Sequence, residues 1–330
     1  MLAIAGAGSW GTALAIVLAP RFERVRLWVY ELDLAQRMAA ARENDIYLPG
    51  FQIPTSVEIK ASLQEAVEGA QIVVSAVPSQ FVRSAWEQVL PALRPEMILV
   101  SATKGIENET LCLPSEIITT VVSQNFVPRL AVLSGPSFAR EVARLNPTAI
   151  VIASHDQETA QCVQASFASP SFRLYTSSDP LGVEIGAALK NVVAIGAGVV
   201  HGLALGHNAM AALITRGLAE ITRLAVAMGG KAQTLSGLAG LGDLVLTCTG
   251  ELSRNRTVGM QLAAGRRLEE IVGSMRMIAE GVKTTMAARE LAARHGVEMP
   301  IAEQMYQMLH FGLPPGEAVR RLMERSLRGE

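Results

Sequence analysis

The sequence is short of charge, of aromatic residues and of cysteine. Only 18% of its 330 residues are charged and 5% are aromatic, whereas 50% are hydrophobic. Its 29 basic and 30 acidic residues leave a formal net charge of −1. This balance excludes nucleic acid as the main partner, because a phosphate backbone requires a basic face. The high hydrophobic content allows a sizeable core and excludes an intrinsically disordered chain.

Disulfide and metal chemistry also lack their usual patterns. The three cysteines, Cys112, Cys162 and Cys248, are odd in number and far apart, with no disulfide framework and no zinc spacing. They indicate reduced thiols in a cytoplasmic protein. The five histidines have no metal-ligand spacing, so we predict no metal.

The sequence lacks the pattern of a targeting segment as well. Its apolar N-terminus has no basic n-region and is interrupted at once by glycines, which argues against a signal peptide. The longest uncharged run, 191–214, contains Asn191, His201, His207 and Asn208 among many small residues. We therefore expect a buried helical hairpin there and no integral membrane segment.

Apolar strands alternate with amphipathic helices over the first half of the chain, which predicts a mostly parallel sheet with helices on both faces. The predicted strands are Leu2–Ala5, Val25–Tyr30, Val57–Lys60, Ile72–Ala76, Met97–Ser101, Leu130–Leu133, Ala149–Ala153 and Arg173–Tyr175. The predicted helices include Thr12–Ala19, Leu34–Arg42, Leu63–Glu68, Gln80–Leu90, Ser115–Val122 and Gln157–Phe167. After Asp179-Pro180 nearly every segment has helical spacing. We expect two domains, 1–178 and 179–330.

A Gly-x-Gly-x-x-Gly motif follows the first predicted strand and opens the first helix. Its glycines are Gly6, Gly8 and Gly11. Such glycines permit a tight turn, let the backbone approach a pyrophosphate and let the helix pack closely on the strand, while the helix N-terminus attracts the anion. In this context the motif predicts a dinucleotide site, and a glycine turn without a ligand is the alternative.

Glu31 follows the second predicted strand, about 20 residues beyond the last glycine of the motif. At that spacing a carboxylate accepts hydrogen bonds from a ribose 2′-hydroxyl and repels a 2′-phosphate. No Lys or Arg follows before Arg37, so we predict that NAD(H) is preferred and that NADP(H) is possible. Alternatively, Glu31 only caps the next helix.

Two lysines are candidates for chemistry. Lys190, followed by Asn191, lies in an apolar helical segment, where an ammonium is costly unless it is paired or deprotonated. Such a lysine can act as a general acid or base, although a lysine that snorkels to the surface is an equally good interpretation. Lys104 and the turn 134–137 each follow a strand, at the edge where open α/β sheets bind ligands. Each is otherwise an ordinary surface loop.

The segment 237–256 is the most polar-rich stretch of the apolar second half. It places Asp243 and Thr247 ahead of Ser253, Arg254 and Asn255. A guanidinium beside an amide and a hydroxyl suits a phosphate, because all three offer hydrogen-bond donors. A glycine-punctuated loop followed by a solvated basic helix is the alternative.

The chain resembles the bacterial-type NAD(P)-dependent glycerol-3-phosphate dehydrogenases. The resemblance runs from about residue 2 to about residue 310, and its motifs are GAGSWGTALA, SATKGIE, SGPSFA, LKNVVAIGAG, ITRGLAE, GLGDLVLTC and SRNR. It implies a Rossmann-type α/β domain followed by an all-α domain of the 6-phosphogluconate-dehydrogenase-like type. It also implies the interconversion of dihydroxyacetone phosphate and sn-glycerol 3-phosphate for glycerophospholipid synthesis. Separately, the long apolar helices predicted after residue 180 could bury a dimer face, so we expect a homodimer.

The resemblance further implies roles for individual residues. Lys190 is the general acid/base, beside the catalytic-pocket residues Lys104, Asp243 and Thr247. The substrate-binding positions are Lys104, Gly135, Ser137, Lys190, Asn191, Asp243, Ser253, Arg254 and Asn255, with Arg254 and Asn255 at the phosphate. The cofactor positions, besides the three glycines and Glu31, are Ser9, Trp10, Tyr30, Phe81, Lys104, Ala139, Arg254, Ile278 and Glu280. One departure concerns Tyr30-Glu31, because family members often carry His or Arg near there, which suits NADPH.

Two alternatives of different kinds remain. A related two-domain dehydrogenase for a 3-hydroxy acid or a sugar acid would also carry a Lys-Asn pair on a helix, but the SRNR segment argues against it. A non-catalytic NAD-binding regulator would keep the fold without the chemistry, and it would have no need of Lys190, Asp243 and Arg254.

Overall fold

The computed structural model describes residues 1–275 and 279–326. The chain forms two compact units. The first consists of Met1–Lys104 and Cys112–Glu184, and the second of Gly105–Leu111 and Ile185–Glu330. The division falls inside the helix Pro180–Gly202, so this one helix belongs to both units.

An eight-stranded sheet forms the centre of the first unit, in the order β10-β9-β8-β7-β6-β1-β2-β5. The strands of the unit are β1 (Leu2–Ala5), β2 (Val25–Trp28), β3 (Glu43–Asn44), β4 (Leu48–Gln52), β5 (Val57–Lys60), β6 (Ile72–Ser75), β7 (Ile98–Ser101), β8 (Arg129–Ser134), β9 (Thr148–Ala153) and β10 (Phe172–Ser177). Every neighbouring pair in the large sheet is parallel except β8 and β9. The predicted strands are therefore confirmed, with ends that differ by at most two residues.

Helices cover both faces of this sheet. They are α1 (Ser9–Leu18), α2 (Leu32–Ala41), α3 (Leu63–Val67), α4 (Val82–Val89), α5 (Pro114–Val122), α6 (Ala139–Ala143) and α7 (Gln157–Phe167). Alternate residues of β1 enter different cores: Leu2 and Ile4 join one hydrophobic cluster, whereas Ala3 and Ala5 join the other. Because successive strand side chains point to opposite faces, two separate cores show that neither face is left to solvent.

The structure of the first unit differs from the sequence-based prediction in two ways. Helix α1 begins at Ser9 and not at Thr12, because the backbone of Gly8 is extended and the helix starts directly after it. The antiparallel hairpin β3–β4 was not predicted at all. Its sequence contains Pro49 and Gly50 and has no alternation of apolar and polar residues, so the period-2 signal of a strand is missing.

Among the described residues, helices are the regular structure of the second unit, and its segment Gly105–Leu111 forms turns. Its helices are α8 (Pro180–Gly202), α9 (Gly206–Ala227), α10 (Ala232–Leu235), α11 (Asp243–Thr249), α12 (Arg254–Ala263), α13 (Leu268–Ser274), α14 (Glu280–Arg294), α15 (Pro300–Phe311) and α16 (Pro315–Met323). A π-helical turn, Leu238–Gly242, leads into α11. The predicted change from mixed to helical structure is confirmed.

Helix α8 packs directly against α12, and the small residues of both helices allow this close approach. A Cβ atom on Gly198 would lie 2.0 Å from the carbonyl oxygen of Arg256, and one on Gly259 would lie 1.9 Å from that of Ile195. The backbones of α8 and α12 thus touch, and no side chain fits between them. The expected buried hairpin is right for α8 but wrong for much of α9, whose start at His207 is exposed.

Within the described ranges, one helix is long and apolar enough to cross a membrane, and it is α8. Its most apolar 18-residue window is 100% buried inside the protein.

Candidate active site

The glycine motif forms a tight loop between β1 and α1. Gly6 has a φ of 112°, and a Cβ there would lie 2.9 Å from the carbonyl oxygen of Ala76. A Cβ on Gly11 would lie 1.9 Å from the carbonyl oxygen of Gly6, so this position also tolerates only glycine. Gly8, in contrast, faces open space, since a Cβ there would have no atom within 4 Å. Gly6 and Gly11 therefore shape the loop, and Gly8 leaves room for a ligand.

Several groups at this loop fit a dinucleotide. The N–H groups of the first turn of α1 have no intrahelical acceptor, and no side chain caps the helix. The indole Nε1 of Trp10 is buried without a hydrogen-bond partner among the described residues. These groups suit the anion that helix N-termini attract.

Glu31 occupies the N-cap position of α2, yet its side chain does not cap the helix. Its Oε1 instead accepts a hydrogen bond of 2.6 Å from the hydroxyl of Tyr47, which lies between β3 and β4. This hydrogen bond raises the pKa of Tyr47 to about 12, because the carboxylate holds the phenolic proton. The neighbouring Tyr30 is 79% exposed. The capping alternative for Glu31 is therefore wrong.

Lys104 and the turn after β8 come together as their positions at strand ends predicted. The Lys104 Nζ donates to the carbonyl oxygen of Gly135 at 3.1 Å and lies 3.5 Å from the Ser137 Oγ. It also lies 6.0 Å from the centre of the Trp10 ring. Gly135 has a φ of 141°, and a Cβ there would lie 2.9 Å from the Cα of Ile150. The lysine thus lies between the glycine loop and this turn.

Two further predicted cofactor positions lie in the first unit. Phe81 ends a 3₁₀ turn, Ser79–Phe81, after β6, and its side chain is 53% exposed. Ala139 is the first residue of α6, directly after the turn that contains Ser137. Both therefore lie near strand ends of the sheet.

In the second unit, Lys190 on α8 forms a buried ion pair with Asp243 on α11. The Nζ is hydrogen-bonded to the Asp243 Oδ1, and the two side chains are 7% and 1% exposed. Snorkelling is excluded, because the ammonium lies inside the protein. Thr247 donates to the backbone carbonyl of Asp243 at 2.6 Å, so the hydroxyl lies beside the same carboxylate.

A chain of amide hydrogen bonds begins at the residue next to Lys190. Asn255 on α12 donates through Nδ2 to the Asn191 Oδ1 at 2.9 Å, and its Oδ1 accepts from the N–H of Gly281 on α14 at 3.0 Å. A Cβ on Gly281 would lie 2.6 Å from the carbonyl oxygen of Asn191. The amide of Asn255 is therefore held with its oxygen towards α14 and its NH₂ towards α8.

Ser253 and Arg254 begin α12. The Ser253 Oγ accepts from the N–H of Arg256 at 3.3 Å and so caps the helix. Burial lowers the pKa of the Arg254 guanidinium, and the Glu280 carboxylate at the start of α14 opposes that shift. A partly desolvated guanidinium beside a helix N-terminus suits an anion.

Sequence reasoning missed the residues that support these groups. Tyr47 holds Glu31, Asn44 accepts from the N–H of Tyr47 at 2.9 Å, and Gly281 donates to Asn255. None of the three belongs to a recognisable motif, although an Asn side chain that bonds a following backbone N–H is typical of a turn. Ile278, a predicted cofactor position, lies outside the described residues. Within the ranges 1–275 and 279–326, no group of three or more His, Cys, Asp or Glu side chains is placed to hold a metal ion.

Comparisons with known proteins agree over nearly the whole chain. Residues 1–160 match the sequence profile described as the N-terminus of NAD-dependent glycerol-3-phosphate dehydrogenase, and residues 179–320 match that of its C-terminus. A glycerol-3-phosphate dehydrogenase (NAD(P)+) of Koribacter versatilis is 56% identical over 326 residues, 98% of this chain and 97% of that protein. One from Geobacter sulfurreducens is 52% identical over 329 residues, 100% of this chain and 98% of that protein.

A solved structure supports the same relationship. The crystal structure of glycerol-3-phosphate dehydrogenase from Coxiella burnetii matches with a TM-score of 0.94 and 40% identity, and it covers 98% of this chain and 98% of that chain. The expected fold class, a Rossmann-type α/β domain plus a helical domain of the 6-phosphogluconate-dehydrogenase-like type, is confirmed.

Proposed function

The chain belongs to the NAD-dependent glycerol-3-phosphate dehydrogenase family, and on that premise we propose that it reduces dihydroxyacetone phosphate reversibly to sn-glycerol 3-phosphate with NAD(P)H. The observation that carries the proposal is the buried Lys190–Asp243 pair. A protonated amine that is held inside the protein by a carboxylate is a suitable proton donor for a ketone oxygen. This reaction would supply the backbone of glycerophospholipids.

Lys190 acts as the general acid in the direction of reduction. A bound nicotinamide cofactor supplies the hydride. The ammonium polarises the carbonyl oxygen of the substrate and gives it a proton as negative charge develops there. Asp243 keeps the amine protonated and directs it, and Thr247 fixes Asp243 through its main chain. Asn191 lies next to Lys190 and is oriented by Asn255, so it offers a defined amide to the substrate.

The substrate phosphate binds at the start of α12. Arg254 supplies the positive charge, and burial strengthens its attraction for an anion because water screens it less. The Asn255 amide retains an N–H after its bond to Asn191, and the Ser253 hydroxyl can donate while it caps the helix. Binding energy from the phosphate holds the reacting carbon in position. Lys104, Gly135 and Ser137 complete the proposed substrate contacts.

The glycine loop of the first unit binds the pyrophosphate of the cofactor. Gly8 leaves the space, Ser9 and Trp10 begin the helix, and Gly6 and Gly11 shape the loop. The other proposed contacts are Tyr30, Phe81, Lys104, Ala139, Arg254, Ile278 and Glu280. Glu31 accepts from the ribose 2′-hydroxyl, so NAD(H) is preferred to NADP(H). This preference is supported by the observation that the Glu31 carboxylate does not cap α2 and so can accept a hydrogen bond from a ribose.

The test measures the oxidation of NADH through the loss of its near-ultraviolet absorbance. Dihydroxyacetone phosphate is the substrate in one assay, and unphosphorylated dihydroxyacetone is the substrate in the other. We expect turnover with the phosphorylated ketone and a far lower kcat/KM without the phosphate. Lys190→Ala should lose turnover and keep NADH binding. Turnover with a 3-hydroxy acid or sugar acid would favour the related dehydrogenases, and NADH binding without any oxidation would favour the regulator.

Two further expectations belong to this proposal. The protein is a cytoplasmic enzyme, which is supported by three free cysteines. It is also a homodimer, which light scattering at several concentrations would test. Because α8 is buried within its own chain, a dimer would use other helices of the second unit.

A further inference from the structure

The hairpin β3–β4 connects the two parts of the proposed dinucleotide site. Asn44 in β3 is fully buried and donates through Nδ2 to the carbonyl oxygen of Ala7 at 2.8 Å and to the Thr12 Oγ1 at 2.9 Å. Its Oδ1 accepts from the N–H of Tyr47 at 2.9 Å. One buried amide therefore ties the glycine loop and the first turn of α1 to the main chain of Tyr47.

Tyr47 extends this connection to Glu31. Its ring is half-buried and packs against the hydrophobic core of the sheet, and its hydroxyl donates to the Glu31 Oε1 at 2.6 Å. A glutamate at a helix start has many rotamers, and this one is not held by capping its own helix. The hydroxyl leaves Oε2 as the oxygen that can accept from a ribose.

The charges around this position disfavour a second phosphate. Arg37 is the first cation after Glu31, and its guanidinium contacts Asp33 at 2.7 Å and Asp45 at 3.2 Å. The hydrogen bonds that it donates to Asp33 and Asp45 also raise the pKa of Arg37. Two carboxylates thus hold one guanidinium, and a 2′-phosphate would have to compete with both of them for it.

We infer that Tyr47 is a positioning residue that sets dinucleotide selectivity by holding the Glu31 carboxylate at the ribose site. The inference rests on the proposed role of Glu31 and deepens it. When the Tyr47 hydroxyl is present, the negative charge of Glu31 stays where a 2′-phosphate would lie. When it is absent, the Glu31 carboxylate rotates towards solvent. The ribose 2′-hydroxyl of NADH then has a less favourable acceptor, and the 2′-phosphate of NADPH is repelled less.

The test compares kcat/KM for NADH and for NADPH in the full-length protein. We expect Glu31→Ala to lower the ratio of kcat/KM for NADH to kcat/KM for NADPH by about tenfold to hundredfold, which is the usual effect of losing a hydrogen bond to a charged group. Tyr47→Phe should lower the ratio by about threefold to tenfold, the effect of one neutral donor. The change should lie in KM for the dinucleotide, with kcat and the KM for dihydroxyacetone phosphate unchanged.

Matched variants separate this role from a structural one. Tyr175→Phe also removes a tyrosine hydroxyl, but from β10, and it should leave the ratio of kcat/KM for NADH to kcat/KM for NADPH unchanged. Asn44→Asp should raise both dinucleotide KM values by a similar factor, because it disturbs the glycine loop and not the discrimination. In a Glu31→Ala background, Tyr47→Phe should have no further effect on the ratio, since two residues that act through one contact are not additive.

The outcomes distinguish the inference from its premise. If Glu31→Ala changes the ratio but Tyr47→Phe does not, the inference on Tyr47 is wrong and Glu31 keeps its role. If Tyr47→Phe lowers the ratio by the same factor with and without Glu31, Tyr47 acts independently and the inference is also wrong. If Glu31→Ala leaves the ratio unchanged, the proposed cofactor preference itself fails.

Discussion

Asp243→Asn tests the buried ion pair most directly. In this variant the Lys190 amine, whose side chain is 7% exposed, has lost its carboxylate partner. If the amine stays protonated in the folded variant, the free energy of unfolding falls by about 3–5 kcal/mol, which is the usual effect of removing one partner of a buried ion pair. Folding it as a neutral amine costs about 5 kcal/mol at pH 7, because the proton leaves a group whose ordinary pKa is about 10.4. Both routes predict that the free energy of unfolding falls by about 3–5 kcal/mol.

Urea unfolding followed by circular dichroism, at about pH 7 and at about pH 9.5, measures this loss. If the amine folds neutral, the unfolded variant binds one more proton than the folded variant, so its stability rises with pH. The difference from the wild type should therefore be smaller at about pH 9.5 than at about pH 7. Turnover should fall by about a hundredfold to ten-thousandfold, because the proton donor is neither fixed nor kept charged.

Two control variants complete the experiment. Glu270→Gln removes a pair with Arg267 whose side chains are 47% and 80% exposed, and it should cost less than about 1 kcal/mol. Lys190→Met combined with Asp243→Asn removes both charges, so it should recover much of the stability and none of the activity. A single Asp243→Asn variant with wild-type stability at pH 7 would refute the reasoning.

Four other substitutions give sharp expectations. Gly8→Val should fold normally, because the position faces open space, and should raise the KM for NADH by filling the space left for the cofactor. Gly11→Ala should fail to fold, because its Cβ would meet the Gly6 carbonyl oxygen. Melting curves measure the folding of both variants, and steady-state kinetics measure the KM. Arg254→Ala should raise the KM for dihydroxyacetone phosphate about a hundredfold with a smaller change in kcat, and an unchanged KM would place the phosphate elsewhere. Burial raises the pKa of Glu184 to about 7 in the folded protein, so the folded state binds the extra proton and stability falls as the pH rises from about 4.5 to about 7. Glu184→Gln should flatten the dependence of the unfolding free energy on pH between about 4.5 and about 7. A dependence identical to that of the wild type would contradict the raised pKa of Glu184.

Much of this protein follows from local sequence patterns. Strand and helix periodicity locates the sheet, because side-chain direction depends only on the immediate backbone. The glycine motif is predictable for a similar reason, since the Cβ that Gly11 lacks would meet the carbonyl of Gly6 within the same loop. Glu31 and Lys190 are recognisable by their position after a strand or within an apolar helix.

Which groups meet, in contrast, depends on how the chain packs in three dimensions. Lys190 and Asp243 lie 53 residues apart in the sequence, and the packing of α8 against α11 makes them a pair. The antiparallel pairing of β8 and β9 likewise depends on how the chain returns to the sheet. Asn44 and Tyr47 carry no periodic signal, because their function lies in contacts across the fold. Spacing along a chain predicts conformation, whereas the partners of a buried polar group are chosen by packing.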